Sequence, residues 1–335
     1  MNTRFRYHHL SKDTQAKIAD FCADWQQGKD IQINTSGSTG PPKTCSFSQQ
    51  QFMVSANKTI QYFSLEKNCR ALLCLSTDTI GGKMMLIRSI VGNYELIITE
   101  PSLDPLKDIH ESIDFVALVP TQLACILSNK TSKAKLKQVK HILIGGADIH
   151  PEIVKQLKME QIRAFQSYGM TETISHVALR EIGGDPRYHA LPGISFTVEA
   201  DCLSIHYPEL QEAGIHTNDC VQLLSPTSFI WNGRADFIVN SGGKKIHVEE
   251  LEKRFSVSIE GPFMLGSIPH PIWGEALILI MEKENELDKS RWMQRFEKHE
   301  IPKFVCVAPL IRTENGKIQR NLTLSQIEEN EWISL

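Results

Sequence analysis

Four short apolar runs, residues 71–75, 95–99, 115–119 and 141–144, constrain this chain more than any other feature. Each is rich in Ile, Leu or Val, and runs of this length suit strands buried on both faces, as in a parallel sheet covered by helices. Helical spacing occurs in the same half of the chain. Ile18, Phe21, Cys22 and Trp25 fall at i, i+3, i+4 and i+7, and Phe52, Ala56, Ile60 and Phe63 form a second such stripe. Strands alternating with helices predict an α/β architecture with largely parallel sheets. Turn residues follow each run: Ser76-Thr77-Asp78, Pro101-Ser102, Pro120-Thr121 and Gly145-Gly146. Open α/β sheets collect their ligands at such strand ends.

The texture changes near Gly183. Short runs at 195–198, 203–207 and 221–224 read as a more antiparallel region. A further segment starts near Arg234, with a short strand, the turn Ser241-Gly242-Gly243 and a helix over 247–255 that places Val248, Leu251 and Phe255 on one face. A strand over 277–281, an amphipathic stretch over 289–299 and a strand-like run over 304–308 complete an α+β pattern long enough for a small domain.

Composition removes several function classes. The chain carries 36 Lys+Arg against 39 Asp+Glu, a net charge of −3, without the basic excess of a nucleic-acid binder. No stretch approaches the ~20 apolar residues of a membrane span. The polar first ten residues are not a secretory signal. Eight cysteines are scattered without a CxxC pair, which predicts neither a zinc site nor a disulfide framework, but reduced thiols in a cytoplasmic protein.

The strongest local signal is Asn34-Thr35-Ser36-Gly37-Ser38-Thr39-Gly40-Pro41-Pro42-Lys43. Glycines let backbone amides approach an anion, hydroxyls add donors and the lysine neutralises charge, which is what a polyphosphate needs. It is not a Walker A loop, because Lys43 follows Pro42 rather than a glycine.

This loop resembles the phosphate-binding loop of the adenylate-forming acyl-CoA synthetase superfamily. Four further matches follow in that superfamily's order. Gln166-Ser167-Tyr168-Gly169-Met170-Thr171-Glu172-Thr173 resembles its adenine and magnesium motif, and Thr217-Asn218-Asp219 its ribose motif, with Asn218 where glycine is usual. Gly233-Arg234-Ala235-Asp236, running into Ser241-Gly242-Gly243, resembles its hinge and the loop after it. Thr313-Glu314-Asn315-Gly316-Lys317-Ile318-Gln319-Arg320 resembles its catalytic-lysine motif.

The resemblance implies a large N-terminal domain of α/β layers with a smaller barrel-like region, residues 1–235, and a small mobile α+β domain, residues 236–335. It implies that Thr35, Ser36, Gly37, Ser38, Thr39, Gly40, Tyr168, Gly169, Asp219 and Arg234 bind ATP or AMP. Lys43, Thr171, Glu172 and Lys317 would be catalytic, with Glu172 holding Mg²⁺, a hard cation suited to oxygen ligands. Asp236 would be the hinge, and Ser241, Gly242 and Gly243 would line a coenzyme A channel.

The reaction so implied needs ATP, Mg²⁺ and coenzyme A but no prosthetic group. A carboxylate attacks the α-phosphorus, pyrophosphate leaves, and a thiol then displaces AMP to form a thioester. Within the superfamily, Val119-Pro120-Thr121-Gln122-Leu123, Thr79-Ile80-Gly81-Gly82-Lys83 and the stretch from Tyr168 to Ser175-His176 resemble the o-succinylbenzoate–CoA ligases of menaquinone biosynthesis. In that subgroup the Gly81-Gly82 segment is a turn preceded by histidine rather than Thr79. Gly81, Gly82, Lys83, Arg88, Pro120, Thr121, Gln122, Gly145 and Gly146 are the expected acyl pocket, with Lys83 or Arg88 pairing the acid's ring carboxylate.

A ligase for another acid, a ligase that loads a carrier-protein thiol and a silent ATP-binding pseudoenzyme are the competing readings. A nicotinamide-dependent dehydrogenase lacks its GxGxxG fingerprint here. Members of the resembled superfamily are longer before the phosphate loop than this 335-residue chain. A more open acyl site, or one completed by the second subunit of a homodimer, is the expectation.

Overall fold

The computed structural model describes residues 4–34, 44–65, 67–285, 287–312, 318–328 and 331–335. The expected phosphate-loop residues Thr35, Ser36, Gly37, Ser38, Thr39, Gly40 and Lys43, and the expected catalytic Lys317, lie outside the described residues. Two compact units are present. The first comprises Met1–Thr197, Ser204–Ile215 and Leu223–Ile230, and the second Val198–Leu203, His216–Gln222 and Trp231–Leu335.

The first half of the chain runs β1 (Phe5–His8), α1 (Lys12–Gln26), β2 (Ile31–Asn34), β3 (Thr44–Phe47), α2 (Gln49–Phe63), β4 (Arg70–Leu73), α3 (Ile80–Gly92) and β5 (Glu95–Thr99). It continues through β6 (Phe115–Leu118), α4 (Pro120–Ser128), α5 (Lys130–Leu136), β7 (His141–Ile144), α6 (Pro151–Met159) and β8 (Phe165–Met170). Then come β9 (Ser175–Glu181), β10 (Tyr188–Ala190), β11 (Ser195–Glu199), β12 (Cys202–Tyr207), β13 (Gln211–Ser225) and β14 (Ser228–Arg234). The sheet of the first unit has the order β1-β5-β4-β6-β7-β8-β9-β10 and continues through those parts of β14, β13, β12 and β11 that belong to it. From β1 to β8 every pairing is parallel, and from β8 onward β9 and β10 pair antiparallel.

Helices start where the side chains allow it. Ser11 caps α1 by accepting from the Thr14 amide at 3.1 Å, and Ser48 with Gln51 forms a capping box on α2. Period-two alternation then loads both faces of the sheet. Val116 and Leu118 pack with Leu123 and Ile126 of α4, Leu136 of α5 and Leu157 of α6. From the other face Phe115 meets Phe63 of α2, ring centroids 5.4 Å apart.

Three details differ from the sequence reading. The polar N-terminus contains β1, a parallel edge strand beside β5. The 221–224 run is the end of the long strand β13. Gly81 and Gly82 are not a turn but the first turn of α3, which Thr79 caps by accepting from the Gly82 amide.

The second unit contains β15 (Ile238–Ser241), β16 (Lys244–His247), α7 (Val248–Phe255), β17 (Phe263–His270), β18 (Gly274–Met281), α8 (Lys289–Arg295), β19 (Phe304–Val307), α9 (Arg320–Ser325) and β20 (Ile333–Ser334). Its sheet has the order β16-β15-β18-β19-β20, with β17 also paired to β18. The stripe Val248, Leu251 and Phe255 is buried against Trp292 and Phe296, and the Phe255 and Phe296 rings stack at 4.0 Å. Burying side chains of this kind contributes roughly 1.5–3 kcal/mol each. None of the eight cysteines is in a disulfide, and burial pushes the Cys69 and Cys74 thiols up to about 12, so both are inert near neutrality.

Candidate active site

β8 is both the last parallel strand and the first antiparallel one, and its end carries the expected adenine and magnesium residues. The register slips between Tyr168 and Gly169, and Gly169 then lies against the β9 backbone too closely for any side chain. Half-buried Tyr168 packs its ring on Tyr188 at 5.7 Å and on Phe229 at 5.0 Å, so an aromatic cluster sets its plane. A single 3₁₀ turn, Thr171–Thr173, follows. Glu172 is exposed and Thr171 half-buried, while Thr173 is buried and pins the reversal, its one hydroxyl hydrogen within reach of the carbonyls of Ser175, at 2.6 Å, and Met170, at 2.9 Å, and its oxygen accepting from the Met170 amide. Ile174 and Ser175 are both left-handed, with φ of 47° and 83°. For a β-branched residue this is backbone strain, of a kind that clusters at functional sites.

Gly145 and Gly146 follow β7 next to β8. Gly146 has φ of 91°, and a Cβ on Gly145 would press on the Ser167 hydroxyl, which donates to the Ile144 carbonyl. At α4, Pro120 is half-buried and Thr121 exposed. Gln122, placed in the acyl pocket by the sequence reading, is accounted for without a ligand. Its carboxamide donates to the carbonyls of Cys74 and Ser102 and accepts from the Val119 amide, tying three segments together.

Of the two candidate cations on α3, Lys83 is half-buried and donates to the Gln32 carbonyl at 3.2 Å, with burial pulling its ammonium below the ordinary range. Arg88 is only 1% exposed. Its Nη2 donates to Ser175 Oγ at 3.0 Å and contacts His176 Nδ1 at 3.5 Å, while the buried Nε has no partner. Burial pushes the guanidinium down to about 10, and neither of these hydrogen-bond partners is a carboxylate. The burial was readable in principle, since α3 is apolar nearly all round and a charged residue within such a helix must face the interior.

In the second unit, buried Asp219 accepts from Trp231 Nε1 at 3.1 Å, and its amide donates to Thr217 Oγ1. Arg234 donates from Nε and Nη2 to Asp236 Oδ2, and its own amide is bound by Glu249. The unusual Asn218 donates to both Asp236 oxygens, at 3.1 and 3.4 Å. Ser241, Gly242, Gly243 and Lys244 form the turn of the β15–β16 hairpin. Both central residues are at positive φ, 58° and 79°, the pattern of a type I′ turn that glycines satisfy without strain.

Sequence reasoning pointed to the strand-end turns Ser76-Thr77-Asp78 and Pro101-Ser102 but not to Lys17, which with Leu73, Thr77, Thr99 and Glu100 among others lines a cavity of about 160 Å³ at the carboxyl ends of β4 and β5. Thr59, whose hydroxyl lies 3.2 Å from His176 Nε2, was also missed, because a hydroxyl on a helix stripe carries no mark of its own. Among the described residues no three His, Cys, Asp or Glu side chains gather into a metal cage. An exposed single carboxylate such as Glu172 still fits Mg²⁺, which keeps most of its waters and shares substrate phosphates.

Comparison with known proteins bears on the family and the fold. Residues 31–202 match the family described as AMP-binding enzyme. The 2-succinylbenzoate–CoA ligase of Escherichia coli (strain K12) is 25% identical over 321 residues, which cover 89% of this chain and 69% of that protein. Among solved structures, the acyl-CoA synthetase (AMP-forming)/AMP-acid ligase II-like protein of Dyadobacter fermentans is 32% identical, with a TM-score of 0.65, 95% of this chain covered and 96% of that one. The o-succinylbenzoate coenzyme A synthetase of Bacillus subtilis, in complex with ATP and magnesium ion, has the same fold at a TM-score of 0.76, with 20% identity over 88% of this chain and 69% of that one. The chain belongs to the AMP-binding enzyme family.

Proposed function

We propose that this protein is an AMP-forming carboxylate–CoA ligase and that its acid is o-succinylbenzoate. The carboxylate oxygen of the acid attacks the α-phosphorus of ATP and the bond to pyrophosphate breaks. The thiolate sulfur of coenzyme A then attacks the acyl carbon and AMP leaves. The attacking carboxylate is already ionised, so the first step needs charge neutralisation rather than a general base. Lys43, Lys317 and the residues of the Thr35–Gly40 loop would serve the phosphates, and Thr171 would donate to them. Tyr168 and Gly169 would take the adenine, Asp219 and Arg234 the ribose, and Ser241, Gly242 and Gly243 the pantetheine arm. Mg²⁺ at Glu172 would supply further positive charge when bound. Asp236 is the proposed hinge between the domains 1–235 and 236–335.

The observation that supports the choice of acid is Arg88. A fully buried guanidinium facing a hydroxyl and an imidazole rather than a carboxylate is costly unless an anion joins it. o-Succinylbenzoate brings such an anion, a ring carboxylate remote from the reacting one. The test is AMP release with coenzyme A across o-succinylbenzoate, benzoate and medium-chain fatty acids. Turnover of o-succinylbenzoate well above the others is expected, and activity on fatty acids alone would overturn the assignment.

A further inference from the structure

Arg88 does not stand alone in the interior. A line of polar side chains crosses the first unit behind it, and the directions of its hydrogen bonds follow from the chemistry of the groups. A guanidinium only donates. His176 Nδ1, 3.5 Å from Arg88 Nη2 and 3.3 Å from Ser175 Oγ, is therefore the acceptor nitrogen of its ring. The imidazole proton then sits on Nε2, which lies 3.2 Å from Thr59 Oγ1. Thr59 Oγ1 accepts a hydrogen bond from that N–H and donates its own O–H to the Ser55 carbonyl at 3.5 Å. Ser175 Oγ accepts from Arg88 and is free to donate to His176 Nδ1, which closes the triangle.

The five groups of this line come from three elements. Thr59 and Ser55 come from α2, Arg88 from α3, and Ser175 and His176 from the strained start of β9. Ser55, Thr59, Arg88 and His176 are all at most 5% exposed. A protonated His176 would set a second buried cation beside Arg88, and burial together with Arg88 holds this imidazole well below its ordinary range.

We infer that His176, as its neutral Nε2–H tautomer relayed to Thr59, is a positioning residue that fixes the plane of Arg88 and leaves Nε–H as the donor for the ring carboxylate of the acid. This rests on the reading of Arg88 given above. Two acceptors, Ser175 and His176, hold Nη2, so the guanidinium cannot swing without breaking both contacts. Because the ring carboxylate is remote from the reacting one, the effect falls on binding rather than on the chemical step.

The experiment uses the full chain with His176→Leu, His176→Gln and Arg88→Gln. Adenylation is followed by ATP–pyrophosphate exchange with o-succinylbenzoate and with 4-oxo-4-phenylbutanoate, the same acid without its ring carboxylate. His176→Leu is expected to raise KM for o-succinylbenzoate about tenfold relative to the analogue, with kcat little changed. His176→Gln, which can still accept from Arg88 and donate to Thr59, should recover most of that difference. Equal KM changes for both acids would make His176 merely structural and overturn the inference. If Arg88→Gln separates the two acids and His176→Leu does not, the positioning role fails while the acid assignment stands. If Arg88→Gln does not separate them, the assignment of Arg88 itself falls. A ¹⁵N-histidine spectrum of the unliganded protein reads the tautomer without any substrate. A neutral Nε2–H ring is expected, and an Nδ1–H ring or an imidazolium at neutral pH would overturn the inference.

Discussion

A Cβ placed on Gly169 would stand 2.2 Å from the carbonyl oxygen of Ser175, inside the contact limit of any pair of atoms. The neighbouring strand therefore requires a glycine at this position of the expected adenine motif. Gly169→Ala should push β8 away from β9, lower stability by about 2 kcal/mol and reduce adenylation at the same time. Urea denaturation alongside ATP–pyrophosphate exchange checks this. Full stability with lost exchange would mean that the glycine matters only to the ligand.

The glycine pair at the start of α3 should split in its response. A Cβ on Gly82 would meet the Ser76 carbonyl oxygen at 2.1 Å, whereas one on Gly81 meets the flexible end of Leu75 at 3.1 Å and Thr79 Oγ1 at an ordinary 3.9 Å. Gly82→Ala should cost about 1–3 kcal/mol through overpacking. Gly81→Ala should be close to neutral, since helix propensity returns up to about 1 kcal/mol. Thermal melts of the two variants provide the comparison.

Asp219 has a structural partner and a proposed ligand, and two substitutions separate them. Asp219→Ala leaves the Trp231 indole N–H without its acceptor and should cost about 1–2 kcal/mol. Asp219→Asn keeps an acceptor oxygen, so stability should stay within about 0.5 kcal/mol of the parent while KM for ATP rises about tenfold. Equal stability losses in both variants would show that the charge itself holds the fold.

Lys317→Ala tests the proposed division of labour between the two half-reactions. Adenylation should fall about a hundredfold or more, because a charge at the α-phosphate is lost. Thioester formation from supplied acyl adenylate should be spared. A variant with normal ATP–pyrophosphate exchange would remove Lys317 from the mechanism.

Glu111 should mark the acid limb of stability. The hydrogen bond from His8, at 3.0 Å, and that from Arg6, at 3.2 Å, hold its carboxyl down to about 2. A depressed carboxylate stabilises the fold above its ordinary pKa of 4.5, and that contribution is lost as pH falls from there toward 2. Arg6 is half exposed, so the contribution is small, about 0.5–1 kcal/mol. Glu111→Gln should lower Tm modestly at pH 7, and the gap to the parent should close on acidification. A gap independent of pH would assign the loss to packing.

How much of this was legible varies residue by residue, for physical reasons. Val248, Leu251 and Phe255 announce α7 because the burial of one helical face is written in their spacing. β1 is hidden because an edge strand beside a single neighbour can carry Arg6 and His8 without cost, and charges are what blunt such edges. The turn expected at Gly81-Gly82 rested on the segment's resemblance to the o-succinylbenzoate–CoA ligases. The deciding fact, the Ser76 carbonyl lying where a Gly82 side chain would go, is a tertiary contact that no local pattern encodes. The structural ties of Gln122 were hidden for the same reason, since two of its three backbone partners, the carbonyls of Cys74 and Ser102, come from distant segments of the chain. Arg88 was singled out as a cation for the acid, but its burial, readable from a helix apolar nearly all round, was not.

The reversal between β8 and β9 also acts as a measuring stick. It contains only Thr171, Glu172, Thr173 and Ile174, and strand side chains alternate from face to face. One added residue that slipped β9 by one position against β8 would carry Ser175 and His176 away from Arg88 together. Lineages that retain this arrangement should therefore vary freely in residue type around Glu172 but almost never in length. A deep alignment should show its gaps falling elsewhere, with the spacing from Glu172 to His176 left intact.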